Sequence, residues 1–357
     1  MKVSERLALI KEVGEEIITE PELVKLLEEK AHPVAYDGFE PSGRMHIAQG
    51  VMRAINVNKM LKAGCKFIMW VADWHAWANN KLGGDLDKIH TAGEYFTEVW
   101  KACGMDTDKV KFVWCSDFVN KPEYWKTVMQ IARHSTLHRV LRCTQIMGRK
   151  ESDVLSASQI FYPVMQAADI FQLDIDICQL GMDQRKVNIL ARELAPKLGF
   201  KTPVAVHHHM LMGLQQPAGE SQDAVERAIA LKMSKSNPDS AIFVDDGSED
   251  IKRKISKAWC PEKTAHENPI MEYFKYIIFE RFKEIEIKRP AKFGGNVSFA
   301  SYSKLEDAYI NGKIHPIDLK NTAAEYIDKL VDPVRRHFAK GKPAKLLEKV
   351  KSFQITR

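Results

Sequence analysis

Two hydrophobic patterns alternate along the first 210 residues. Short, mostly apolar runs rich in β-branched and aromatic residues read as strands: "PVAYDGF" (33–39), "CKFIMWVADW" (65–74), "KVKFVWCSD" (109–117), "DIDICQLGMD" (174–183) and "TPVAVHHH" (202–209). Between them lie longer stretches with apolar residues at helical spacing. "MHIAQGVMRAINVNKMLKAG" predicts a helix ending near Gly64, and "DLDKIHTAGEYFTEVWKACG" and "QRKVNILARELAPKLG" predict two more, with further helices from about 123 to 173. Strands that are apolar on both faces, separated by amphipathic helices, imply an α/β fold with a doubly wound parallel sheet covered by helices. After about residue 247 the strand pattern stops. Segments 249–259, 268–286, 302–311 and 316–339 all read as helices. The chain therefore divides into an α/β unit over 1–247 and an all-helical unit over 248–357.

Open parallel sheets bind ligands beyond the carboxyl ends of their strands, so candidate chemistry belongs there. "GFEPSGRMHIAQG" (38–50) leaves the first strand and enters a helix near His46, where exposed N–H groups suit a phosphate. His46 and Gln49 share a face, and Ala48 is small enough for a flat ring to approach the backbone. In "FYPVMQAADIFQL" (161–173), Tyr162, Gln166 and Asp169 form one polar stripe on an otherwise apolar helix, which favours a buried recognition surface; Pro163 suits a first turn or a kink. "LGMDQRK" (180–186) offers Gly181 for close approach to the backbone, Asp183 for a ribose hydroxyl and Gln184 as an amide. Neither a Walker loop nor a G-x-G-x-x-G fingerprint occurs. "HHH" (207–209) lacks further ligands at metal spacing, so no metal site is expected.

"LKMSKSNPDS" (231–240) puts Lys232 and Lys235 beside Ser234 and Ser236 on a loop. It reads either as a solvated linker or as a set of cations and donors for phosphates. Charge placement offers a similar choice, between solubility and two phosphate-tracking surfaces, and does not decide it. Eleven Lys/Arg against five Asp/Glu between Lys313 and Arg357 account for the surplus of the whole chain, +6, and "IARHSTLHRVLRCTQIMGRK" (131–150) has no acid. The six cysteines are scattered without a Cys-x-x-Cys pair, which argues against zinc knuckles and a disulfide framework. No apolar run is long enough for a membrane helix, and the acid-rich N-terminus resembles no targeting peptide. A cytoplasmic location and no membrane partner are the expectation.

"HIAQ" followed far downstream by "KMSKS" resembles the two signatures of class I aminoacyl-tRNA synthetases. "YDGFEPSGRMHIAQG", "ADWHAWANNKLGGDL", "YPVMQAADI", "GMDQRKVNILARE", "KFGG" and "HPIDLKN" extend the likeness to tyrosyl-tRNA synthetases of the archaeal and eukaryotic cytosolic type, over about Pro33 to Arg336. The resemblance implies a Rossmann-like catalytic unit followed by a helical anticodon-binding unit. The implied activity joins L-tyrosine to ATP, releases pyrophosphate and transfers tyrosine to the 3′ end of tRNA(Tyr). Tyr36 and Asp169 would meet the substrate phenol, Trp70 and Ala72 its ring, and Tyr162, Gln166 and Gln184 its amino group. Gly38, Glu40, His46, Ala48, Gly181, Asp183, Met210, Leu211 and the run Lys232, Met233, Ser234, Lys235, Ser236 would bind ATP. His46, Gln49, Lys232 and Lys235 would be catalytic, with Mg²⁺ held mainly by the phosphates. Phe293, His315 and Asp318 would read the anticodon. The segment near 120–165 would be an insertion serving a homodimer and the tRNA acceptor end, with Leu137, Val140, Leu141 and Ile146 as apolar interface residues. Ala48 and Gln49 stand where the family signature has glycine and histidine. Tryptophanyl-tRNA synthetases, small-molecule adenylyltransferases and inactive tRNA-binding relatives are the competing readings.

Overall fold

The computed structural model describes residues 1–148, 154–217, 219, 221, 223–233 and 237–354. Strands β1 (Gly14–Ile18), β2 (Val34–Phe39), β3 (Lys66–Val71), β4 (Val110–Trp114), β5 (Ile177–Gly181) and β6 (Val204–His208) form one sheet in the order β1-β6-β5-β2-β3-β4. All are parallel except β1, which runs antiparallel to β6. Every residue of β5 and β6 is buried, as strands with both faces covered require. The chain winds outward from β2 through β3 to β4, then returns to place β5 on the other side of β2. That reversal opens a cleft at the carboxyl ends of β2 and β5.

Local signals explain the helices around the cleft. Asp85 accepts hydrogen bonds from the amides of Asp87 and Lys88 and starts the helix Leu86–Ala102. Ser156 and Gln159 form a reciprocal cap on the helix Ala157–Gln172. Pro163 lies well inside that helix rather than in its first turn. The helix expected near His46 begins later: one wide turn over Ala48–Met52 precedes Arg53–Lys62, with the Met52 amide donating to Ile47 O at 3.0 Å.

Besides the helices Val3–Val13, Glu20–Glu29 and Ala224–Leu231, which the sequence reading did not assign, three elements depart from it. The first is β1, whose "GEEII" has no period-2 pattern. It exists because β6 offers a pairing edge and because Glu16 meets His207 at 2.8 Å and Arg185 at 2.8 Å. The second is a hairpin, β7 (Ile285–Ile287) with β8 (Val297–Phe299), where only helix was expected. The preceding helical run ends at Arg281. Ile285 and Ile287 are buried around exposed Glu286, an alternation too short to separate from helical spacing. The third is an additional final helix, Gly341–Ser352.

The C-terminal region is otherwise helical, and its apolar residues continue the core on one side of the sheet without a break. A second core lies between the sheet and the helices from 122 to 198. No described helix is long and apolar enough to cross a membrane.

Candidate functional site

A cavity of about 780 Å³ occupies the cleft. It is lined by Tyr36, Gly38, Glu40, His46, Ala48, Gln49, Trp70, Ala72, Tyr162, Gln166, Asp169, Gly181, Asp183, Gln184, Met210, Leu211, Lys232 and Met233. Every described site residue expected in the α/β unit is thus in one place. Ser234, Lys235 and Ser236 lie outside the described residues.

The floor at one end is built from β2, β3 and the helix Ala157–Gln172. Its polar stripe is buried, with Tyr162, Gln166 and Asp169 at 5%, 8% and 1% exposure. Asp169 receives the Tyr124 hydroxyl on Oδ1 at 2.8 Å. His75 Nε2 stands 3.1 Å from Oδ2, within ion-pair range but without hydrogen-bond alignment. Asp169 Oδ2 and the Tyr36 hydroxyl are both buried with no hydrogen bond from the described residues. Burial, then Cys178, Asp169 and Asp37, hold the Tyr36 phenol well above its ordinary range, so it stays protonated. Burial pulls His75 down, but Asp169 outweighs it and the net direction is up. Gln166 Nε2 donates to Gln184 Oε1 at 3.0 Å, and Gln184 Nε2 to Ile146 O at 3.2 Å, so the two amides form one chain. Glu40, expected on ATP, accepts from Asn79 at 2.9 Å and raises the Tyr162 hydroxyl after burial, which places it near the polar stripe.

The other end is built from the first signature, the end of β5 and the lysine loop. Gly181 sits tight against its neighbours: a Cβ there would come to 2.5 Å from Met210 Sδ and 2.6 Å from Asp183 Oδ1, so both side chains would have to move. Close approach is real, but the chain's own side chains make it. Lys232 Nζ donates to Asp183 Oδ2 at 2.7 Å, joining two groups that the sequence assigned to different parts of ATP. The Gln49 Oε1 is buried without a partner among the described residues. Beneath them Arg53 lies 3.0 Å from Asp37 and against His208, which also meets Gln179. Burial pushes the Asp37 carboxyl up to about 7, with Arg53 pulling the other way. Burial, then Arg53, drives His208 well below the ordinary imidazole range.

Among the three histidines, His207 meets Asn188 and Glu16, and His209 meets Glu15 and Glu272. Their partners come from the sheet edge and the helical region, which the run "HHH" could not reveal. Sequence reading also missed His75, Tyr124, Asp37 and Arg53. His75 stood in a quoted segment, "ADWHAWANNKLGGDL", but nothing local ties it to Asp169.

The anticodon candidates lie elsewhere. Phe293 is 60% exposed on the turn before β8. His315 caps the helix Pro316–His337 through Ile317 N at 3.2 Å, and Asp318 sits half-buried in its first turn. Arg289 ties the two segments together, donating to Gly295 O and Lys313 O. Two of the four residues expected at an interface face inward instead. Val140 and Ile146 are each 5% exposed, because their helical turns pack on the helix Ala157–Gln172, whereas Leu137 is exposed.

The family profile of class I tRNA synthetases (W and Y) matches residues 28–332. A cytoplasmic tyrosine--tRNA ligase 1 of Arabidopsis thaliana is 52% identical over all of this chain and 90% of its own length. A tyrosyl-tRNA synthetase of Pyrococcus horikoshii, solved with L-tyrosine, superposes with a TM-score of 0.90 at 40% identity, over 98% of this chain and all of that one. One of Leishmania major, solved with tyrosinol, gives 0.89 at 44% identity over 99% of this chain; the chain spans 61% of that protein, and 46% of a second Arabidopsis ligase. A tryptophanyl-tRNA synthetase of Plasmodium falciparum shares the fold at 18% identity and a TM-score of 0.67. The chain belongs to the class I tRNA synthetases of the tryptophan and tyrosine family, in its tyrosine--tRNA ligase branch.

Proposed function

We propose that the cavity activates L-tyrosine with ATP and that the product is passed to the 3′ end of tRNA(Tyr), with the two ends of the cavity doing separate work. One observation carries the tyrosine reading: the Tyr36 hydroxyl, buried with no hydrogen-bond partner among the described residues, and Asp169 Oδ2, whose neighbour His75 Nε2 stands at 3.1 Å without hydrogen-bond alignment, line one floor. A phenol hydroxyl donating to Asp169 and accepting from Tyr36 satisfies both; a phenylalanine or indole leaves them unpaired. The stripe from Asp169 to Tyr162 covers about 10 Å at 1.5 Å per residue, close to the length of tyrosine. Trp70 and Ala72 would flank the ring, and Tyr162, Gln166 and Gln184 would hold the amino group.

The tyrosine carboxylate attacks the α-phosphorus of ATP and pyrophosphate leaves. The nucleophile is already an anion, so the chain supplies alignment and charge neutralisation rather than a general base. His46, Gln49, Lys232 and Lys235 take that task, with Met210 and Leu211 bordering the adenine and Gly181 and Asp183 the ribose. ATP must displace Lys232 from Asp183, which frees both for the nucleotide. The described residues do not fit a resident Mg²⁺ site, since among them no three His, Cys, Asp or Glu side chains are placed to hold a metal ion together. No step above runs through the metal, and Mg²⁺ would arrive on the phosphates.

The region 248–357 would bind tRNA. Phe293 can stack on an unpaired base, and His315 and Asp318 can read its edge. A second copy would cover the exposed Met129, Leu137, Phe161 and Trp77 on the insertion side, and the location would be cytoplasmic. ATP–pyrophosphate exchange with tyrosine, phenylalanine and tryptophan tests the central reading: only tyrosine should support it, and equal exchange with tryptophan would sink it. Asp318→Ala should raise KM for tRNA and leave tyrosine activation unchanged. Sedimentation at micromolar concentration should show a dimer; a monomer alone would refute the interface.

A further inference from the structure

The lysine loop is pinned at both ends. On the entry side Met212 and Lys232 bridge, and Gly213 N donates to Leu231 O at 2.8 Å. On the exit side Leu214 N donates to Ser240 O at 2.9 Å. The chain then runs antiparallel beside the first signature. Ile47 N donates to Ile242 O at 2.8 Å, Val244 N donates to Met45 O at 3.0 Å, and His46 bridges Phe243. The segment that leaves the second signature is therefore joined to the first signature by backbone hydrogen bonds. Gly50 lets them close up, since a Cβ there would stand 2.7 Å from Val244 Cγ1.

Arg44 locks this seam. Its Nε reaches the Asp245 oxygens at 3.0 and 3.1 Å, its Nη2 reaches Asp246 Oδ1 at 3.0 Å, and its guanidinium lies 4.3 Å over the Phe243 ring. Both carboxylates are buried. Asp246 Oδ2 also takes Phe243 N at 2.9 Å and Lys254 Nζ at 2.6 Å, and Asp245 takes Lys351 Nζ at 3.0 Å from the final helix. Buried carboxylates stripped of a cation are costly, so the turn cannot slide past Arg44 freely. Arg44 does not line the cavity, and whatever it does for catalysis it does through its neighbours.

We propose that Arg44 is a positioning residue for adenylation. By gripping Asp245 and Asp246 it fixes the spacing between His46 and the exit of the lysine loop, and so the width of the phosphate subsite. This rests on the reading that His46 and Lys232 act on ATP.

The test uses the full chain and tyrosine-dependent ATP–pyrophosphate exchange, with tyrosine binding measured separately by equilibrium dialysis. Arg44→Met should lower kcat by about 10- to 100-fold, the scale of an ångström of misplacement, with the Kd for tyrosine unchanged. Arg44→Lys, which keeps a cation but loses the fork, should recover part of the loss. Arg44→Met with wild-type kcat, or with tyrosine binding lost in the same proportion, overturns the proposal. Lys232→Ala runs alongside: if it retains full exchange, the reading of the loop has failed rather than the role of Arg44. Should Arg44→Met not fold, the exposed-side variant Lys351→Ala decides, with a smaller fall in kcat at constant tyrosine Kd expected and an unchanged kcat counting against it.

Discussion

The two ends of the cavity are built on different principles. The tyrosine end stands on regular elements, with Tyr36 on β2, Trp70 on β3 and the polar stripe along one helix, all of them buried. The proposed phosphate end is built from turns: the first signature before its helix, the end of β5 and a loop whose two ends are tied by backbone hydrogen bonds. A rigid floor can discriminate between substrates by leaving polar groups unpaired, because it cannot relax around the wrong one. A loop that closes over ATP and reopens can stabilise charge in the transition state and still release product. The same contrast appears in the charges. Asp169 is flanked by fixed partners, His75 and Tyr124, whereas Lys232 and Asp183 hold each other in a pair that, on the proposed reading, ATP would have to break.

Four measurements sharpen or break this contrast. Lys232→Ala should lower kcat of exchange by about 10²-fold, as for a preorganised donor to developing charge, while tyrosine still binds without ATP. Loss of tyrosine binding in the same variant would show that the two ends are not separate. Asp169→Ala should reduce kcat/KM for tyrosine by at least about 2 kcal/mol, the scale of a hydrogen bond to a charged group, and narrow the gap to phenylalanine. Unchanged discrimination would remove Asp169 from the substrate's reach. Tyr36→Phe removes only a neutral hydroxyl, so about 1 kcal/mol is expected, again in tyrosine kinetics and not in ATP KM.

The smallest effect concerns the rim. Burial pulls the His209 imidazole down, but Glu15 and Glu272 push it up to about 9. A raised imidazole contributes stability that is fully present below its ordinary value of about 6.5 and is lost as pH rises through about 9. Thermal unfolding from pH 6 to 10 should therefore show a decline across that window that shrinks in Glu272→Gln. Equal slopes in both proteins would mean that this cluster does not couple the strand edge to the helical region.

Much of this site was legible from local pattern. The stripe Tyr162, Gln166, Asp169 follows from helical spacing, and the positions of His46, Gly181 and Lys232 follow from strand ends and turns, because each signal is contained in a few consecutive residues. The parallel sheet followed from alternating apolar runs for the same reason. What stayed hidden depends on partners far apart in the chain. β1 forms only because β6 presents an edge, and Val140 and Ile146 turn inward only because a later helix covers them. Asp169 acquires His75 and Tyr124, Lys232 acquires Asp183, and Arg44 acquires two aspartates about two hundred positions away. The sequence by itself determined which residues lie on strand ends, helix faces and loops, since backbone periodicity is a local property. Only the tertiary structure decided which of them share charge and which are left unpaired, since burial and distance are set by the packing of the whole chain.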